Sequence, residues 1–281
     1  MPPRLQTRTA RIGMFPMGSV MSPTTPAVNT TTFVARTYAA LASICDDSLV
    51  STNADILDGL YYGGVDTPTT LHLAAQLASL EHGKYAVLCP SGQSAIAVMA
   101  GAMAQSGDHV LVADTVIYST KWLFDRYFGR LGVDIEYFDP TTVDVLEEAI
   151  RPNTKLVFFE LPGSFTYELF DLSRAAEICR KKKVVSAVDS TWAASTFCYP
   201  LQHDIDIVVL SLGKTHAGIA GVSLGAIITS DHVLFTKSKA AAALLGCHVN
   251  SNACSDALIA MSTLAPRLAQ QMKSTETGRF Y

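Results

Sequence analysis

Paired cysteine spacings are lacking in this 281-residue chain, although it has six cysteines, at 45, 89, 179, 198, 247 and 254. Their scatter, with several inside apolar runs, argues against a disulfide scaffold and for reduced thiols in a cytoplasmic protein. Cys247, His248 and Cys254 come nearest to a zinc set, but no fourth ligand follows at a usual spacing, so no metal is expected. An excess of basic charge is lacking too. The 21 Lys and Arg stand against 25 Asp and Glu, a net −4 at pH 7, which gives no electrostatic ground for binding nucleic acid or an anionic membrane. The one basic cluster, Arg180-Lys181-Lys182-Lys183, follows the amphipathic run LSRAAEIC and reads as a helix C-terminus, where the helix dipole favours cations. No long apolar run is found: the uncharged stretch 85–107 is interrupted by Pro90, Ser91, Gly92, Gln93 and Ser94, so no membrane-spanning helix is predicted. Repeats, low-complexity tracts and linkers are also absent. Asp and Glu are missing from the first 45 residues, which carry Arg4, Arg8, Arg11 and Arg36. That bias resembles an organellar transit peptide, but the prolines at 2, 3, 16, 23 and 26 break an amphipathic helix. The expectation is an extended arm over 1–58, packed on another surface.

What is present, from residue 69 on, is a regular alternation of helix and strand patterns. TTLHLAAQLASLEHG has helical apolar spacing, YAVLC is strand-like, GQSAIAVMAGAMAQSG is an Ala-rich helix and HVLVAD a strand. After a helix over 119–131 come the strand DIEYFD, the helix VDVLEEAI, the strand KLVFFEL, the helix LSRAAEICRKK and the strands VVSAVD and DIVVLSL. Short apolar strands divided by amphipathic helices predict an α/β fold, a three-layer sandwich around a mostly parallel seven-stranded sheet. GVSLGAIIT follows its predecessor too closely for a helical crossover and is predicted to join the sheet antiparallel. A helix over 231–246 and a long one beginning near 251 close the chain. Pro266 is expected to kink the latter, whose Leu264, Leu268 and Met272 have nothing after them to pack against.

In an open α/β sheet, ligands sit beyond the carboxyl ends of the strands. Three stretches end there. In LCPSGQSA a strand passes through Ser91 and Gly92 into a helix, leaving backbone N–H groups free for a phosphate. In VVSAVDSTWAAS an apolar strand stops on Asp189; this is either a buried carboxylate in need of a cation or an exposed helix cap, and the residues leave both open. In DIVVLSLGKTHAG a third strand delivers Ser211, Gly213 and Lys214 into a loop. Its GKT suggests a nucleotide-binding P-loop, but that motif needs a glycine where Val208 stands. A phosphate-ready helix start, an acid and an amine at neighbouring strand ends match the needs of pyridoxal phosphate (PLP): donors for its phosphate, an acid beside its ring nitrogen, an amine for its aldehyde.

With YYGGVDTPTTLHLAAQLASLEHG, LCPSGQSAIAV, FFELPGSFTYELFD and AVDSTWAAS in this order, the sequence from about Val28 onward resembles the Cys/Met-metabolism group of fold-type I PLP-dependent enzymes. Within it the likeness is to the cystathionine β-lyase branch. The resemblance implies that Lys214 holds the cofactor and serves as catalytic base, and that Asp189 pairs with the ring nitrogen. It further implies that Gly92 and Gln93, with Ser211 and Thr191 nearby, bind the cofactor, and that Tyr62 reaches a neighbouring subunit's site. The implied activity is carbon–sulfur β-elimination on a small sulfur amino acid, giving a thiol, pyruvate and ammonia, in a homodimer or homotetramer. A γ-eliminating or γ-replacing relative and a non-catalytic module are the alternatives. The implied organisation is an arm over 1–58, a PLP-binding domain over 59–250 and the start of a long helix over 251–281, without the family's small C-terminal domain.

Departures from the pattern bear on the cofactor. Gly64 stands where the family has a phosphate-clamping arginine, Gly213 where it has a threonine, and Ile117 where it has a ring-stacking tyrosine; a one-residue shift brings Tyr118 to that place. Each charged hydrogen bond lost is worth about 1.5–3 kcal/mol.

Overall fold

A computed structural model of the chain describes residues 5–17, 19–39, 42 and 62–276. Seven strands form one sheet: β3 (Tyr85–Cys89), β4 (His109–Ala113), β5 (Asp134–Phe138), β6 (Thr154–Glu160), β7 (Val185–Asp189), β8 (Ile207–Ser211) and β9 (Gly225–Thr229). Their spatial order is β3-β9-β8-β7-β6-β4-β5, and β9 alone runs against both of its neighbours. Three layers follow from burial along the strands. Every residue of β4 and β9 is buried, as are all of β6 except Lys155 and all of β7 except the half-buried Val185. Successive side chains point to opposite faces, so such strands need helices on both sides.

The helices begin where capping residues allow. α2 (Pro68–Leu80) has Thr67 as N-cap with a reciprocal bond to Thr70 and a proline in its first turn, where no N–H is required. α3 (Gly92–Met103) repeats the device with Ser91 and Ser94. The LSRAAEICRKK run forms α6 (Leu172–Lys182), capped by Asp171 and ended by Lys183 in the left-handed region, with its cations in the last turn as expected. The predicted helix over 119–131 is composite: α4 (Tyr118–Leu123) runs into a π-helical turn and then a 3-10 turn. VDVLEEAI yields only α5 (Leu146–Ala149), because Thr142 leaves helical geometry and the chain before Leu146 is 3-10. α7 (His232–Leu244) follows β9.

Two expectations need correction. The start of the chain is not extended: α1 (Leu5–Ala10) leads into a hairpin of β1 (Phe15–Met17) and β2 (Val20–Ser22), and only then does an extended run begin. The surface it packs on is the chain's own body. Ile12 is buried, the Val28 N–H donates to Thr69 Oγ1 at 2.9 Å, and Ser251 and Ser255 donate to the carbonyls of Val28 and Thr25, both at 2.8 Å. Residues 43–58 of the expected arm lie outside the described residues. The closing helix is two helices, α8 (Ser251–Met261) and α9 (Leu264–Glu276), because the chain turns at Ser262 and Thr263 and Pro266 falls in the first turn of the second. Leu264 and Leu268 are buried against Ala194, while Met272 remains exposed. Among the described residues no helix is long and apolar enough to cross a membrane.

Candidate active site

Two carboxyls meet at the carboxyl ends of β6 and β7. The parallel register sets Glu160 directly beside Asp189, and their exposures are only 4% and 7%. Asp189 Oδ1 accepts the Thr191 N–H at 2.9 Å, so the residue caps the following turn and is buried as well. Burial pushes its carboxyl above the ordinary range, against the hydrogen bonding of Thr191 and the charge of Lys214. Glu160 Oε2 accepts the Ile117 N–H at 2.7 Å and Oε1 accepts the Ser164 hydroxyl. Burial, helped by the charge of Asp189, pushes Glu160 up to about 7. Two buried acids side by side cannot both ionise cheaply, and the Lys214 ammonium draws both downward. Lys214 itself is exposed, three residues past the end of β8, and not desolvated as a catalytic lysine's suitability would suggest.

Across from the acids lies the start of α3. Its cap employs the Ser94 N–H, which leaves the N–H groups of Gly92 and Gln93 ahead of the first intrahelical bond. Gly92 is required by crowding: a Cβ there would stand 2.5 Å from Ser211 Cβ and 2.8 Å from its Oγ. The end of β8 is fixed in turn to the Asp189 turn, since Ser211 donates its N–H to Thr191 Oγ1 at 2.8 Å. Gln93 Nε2 donates to the Ser119 carbonyl at 3.0 Å, tying α3 to the start of α4. Thus Asp189, Thr191, Ser211, Gly92, Gln93 and Lys214 lie at one end of the sheet.

Tyr118 stands at the rim of this group. Its ring is tilted on Trp122 with centroids 4.4 Å apart, and its neighbours Ile117 and Ser119 hold Glu160 and Gln93. Tyr62 is not brought to the group; it lines a separate groove of about 570 Å³ with residues such as Asn29, Thr31, His248 and Asn250. Gly64 packs under its ring, where a Cβ would come within 2.5 Å of Tyr62 Cε1. Gly213 is also a packing position, as a Cβ there would lie 3.0 Å from the Val222 carbonyl oxygen. Sequence reasoning missed Glu160 and Ser164. The available signal was that two consecutive strands, KLVFFE and VSAVD, both end in an acid.

Known proteins resemble the chain in sequence and in fold. The chain is 30% identical over 218 residues to cystathionine beta-lyase of Salmonella typhimurium, covering 77% of this chain and 55% of that protein. It is 36% identical over 170 residues to O-succinylhomoserine sulfhydrylase of Pseudomonas aeruginosa, covering 60% and 42% respectively. Its fold is that of the crystal structure of cystathionine gamma-lyase from Lactobacillus plantarum, with a TM-score of 0.84 at 22% identity over 94% of this chain and 65% of that one. The chain spans about half the length of the curated relatives it matches. Residues 6–277 match the model of one family, and with that match over nearly the whole chain the protein belongs to the Cys/Met metabolism PLP-dependent enzymes, whose cofactor is pyridoxal 5'-phosphate.

Proposed function

We propose that this site serves a carbon–sulfur lyase that cleaves cystathionine or a related cysteine conjugate by β-elimination, releasing a thiol such as homocysteine together with pyruvate and ammonia. The observation that carries the reading is the convergence, at one end of the sheet, of a buried acid and an exposed amine whose charge acts on it. The donor set fits PLP: an acid for the ring nitrogen, an amine for the aldehyde, and the N–H groups of Gly92 and Gln93 for the phosphate.

When bound, PLP supplies an electron sink for the pair left on the substrate's α-carbon. Each protein group then has a task. Asp189 is a buried acid whose Oδ1 is held by the Thr191 N–H, and a protonated ring nitrogen is the cationic partner that would make its ionised form stable. Lys214 Nζ is the amine that would hold the cofactor's aldehyde carbon, and as a base it would take the proton from the substrate's Cα. Its exposure leaves the substrate a path to it. Thr191 and Ser211 lock the ends of β7 and β8 together and so fix the span between acid and amine. Tyr118 at the rim would stack on the cofactor's ring. Tyr62, in its own groove, is assigned to the site of a second copy, in a homodimer or homotetramer.

The test is spectroscopic and chemical. Purified protein with added PLP should develop a visible absorbance band that borohydride fixes onto Lys214, and cystathionine should yield pyruvate. Lys214→Ala should abolish both. Unchanged pyruvate release in that variant would refute the assignment, α-ketobutyrate in place of pyruvate would mark γ-elimination, and no band at saturating PLP would mark a non-catalytic module.

A further inference from the structure

Behind the Lys214 turn is a second buried polar group with no part in the site just described. Glu81 at the end of α2, Ser195 in the turns after β7 and His216 two residues beyond Lys214 are all fully buried. Ser195 Oγ is bonded to Glu81 Oε1 and, at 2.8 Å, to His216 Nε2; His216 Nδ1 meets Thr215 Oγ1 at 3.0 Å. Ser195 reaches this position with a φ of 55°, beside Ala194 at 52°, a strained pair of non-glycine residues. Arg267 of α9 holds the same turn from outside, donating to the Thr215 carbonyl at 2.8 Å and to that of His216 at 3.3 Å. Glu81 Oε2 is buried with no hydrogen-bond partner among the described residues.

The chain of bonds can run in two directions. With Glu81 protonated, its O–H donates to Ser195 Oγ, Ser195 donates to His216 Nε2, and His216 Nδ1–H donates to Thr215 Oγ1. With Glu81 ionised and its proton lost to solvent, Ser195 donates to Glu81, His216 Nε2–H donates to Ser195, and Thr215 donates to Nδ1. Every link survives either way, and the histidine is neutral in both but changes tautomer. The charged and titratable groups facing the chain are Arg8 of α1 toward Glu81; His82, Cys198 and Tyr199 around it; and Arg267 toward His216. Burial pushes Glu81 up to about 7, and burial with the Arg267 charge holds His216 down at about 4, so near neutral pH only Glu81 of the two titrates.

We propose that Glu81, Ser195, His216 and Thr215 act as one reversible hydrogen-bonded chain that positions the turn carrying Lys214, with Glu81 setting its direction. Glu81 and His216 are thereby positioning residues, which rests on the assignment of Lys214 as the cofactor's amine. The test uses the full chain without cofactor, so it stands whether or not PLP binds. In wild type labelled with 15N-histidine, His216 should pass from the Nδ1–H tautomer at about pH 5.5 to the Nε2–H tautomer at about pH 8.5, and amide exchange over 212–217 should change rate with the same midpoint. Glu81→Gln, which keeps the shape and removes the titration, should hold one tautomer and a pH-independent protection of the turn relative to the rest of the protein. Ser195→Ala should uncouple His216 from Glu81 and speed exchange at the turn by about tenfold, the worth of one hydrogen bond. A single tautomer throughout in wild type, persistence of the switch in Glu81→Gln, or exchange at the turn that ignores the tautomer would overturn the proposal.

Discussion

Glu160→Gln should make the protein more stable than wild type above neutral pH and leave the two nearly equal only below about pH 4.5. The substitution keeps both hydrogen bonds, since the amide oxygen can accept from the Ile117 N–H while the NH2 donates to Ser164 Oγ, and it removes only the charge. In wild type the carboxyl is pushed up from 4.5 to about 7, first by burial and then by the charge of Asp189. A folded value above the unfolded one means that the group's contribution is full below about pH 4.5 and is lost as the pH rises through about 7. A displacement of that size corresponds to about 3 kcal/mol. Asp189 pushes the same way, because without its neighbour's charge it ionises more readily. Urea unfolding of the cofactor-free protein at about pH 5.5 and pH 8 measures both chains. The stability of the variant relative to wild type should grow between those two conditions by about 2–3 kcal/mol. A difference that is flat with pH, or that shrinks, would mean that the two acids are not forced into one low-dielectric site and would remove the reason for a cation to bind there.

Two further outcomes follow from the packing. Gly92→Ala should cost about 1–3 kcal/mol, because its Cβ would stand 2.5 Å from that of Ser211, and should weaken PLP binding; adding Ser211→Gly should recover the stability, and strictly additive losses in thermal unfolding would contradict the contact. Among the five described cysteines, Cys89, Cys179 and Cys254 are buried and their thiols pushed up to about 12, whereas Cys198 and Cys247 are half-buried, so a thiol reagent at about pH 8 should mark the latter two first; mass mapping that finds early label on the other three would refute the burial.

The sheet was legible because its strands are short apolar runs whose neighbours are set by intervening helices, and the reversed β9 because residues 213–220, all that separates DIVVLSL from GVSLGAIIT, are too few to hold a crossover helix. LSRAAEICRKK matches α6 residue for residue, since Asp171 before it and the cations at its end leave little freedom for either boundary. Local rules failed where packing decided. Five prolines made residues 1–58 read as extended, yet none lies between Leu5 and Met14, and burial of Thr9 and Ile12 suffices there to hold a short helix. The final helix read as continuous because nothing in its pattern marks Ser262 and Thr263 as a turn; the turn lets Leu264 and Leu268 reach Ala194, a partner about 70 residues away in sequence.

Within the site, legibility fell with the number of chain segments that must meet. Asp189 and Lys214 could each be seen as a charged residue at or just beyond the end of one apolar strand, and the pairing of β7 with β8 brings those ends together. Glu160 has the same signature, but reading its strand on through Leu161 hid the acid inside a run when it in fact ends β6. Placing it beside Asp189 takes one more inference, that strands joined by α6 are neighbours in parallel register, and that inference was available from the sequence. Glu81, Ser195 and His216 gave no such opportunity: they come from the end of a helix, an irregular turn and a loop, the first two 114 positions apart in the sequence. Strand ends can be read one at a time, because a parallel sheet aligns them without further instruction. A hydrogen-bonded chain that threads turns depends on backbone values such as those of Ala194 and Ser195, which side-chain type does not predict. For that reason the strand-end groups are legible in the sequence, whereas those around the Lys214 turn depend on the fold itself.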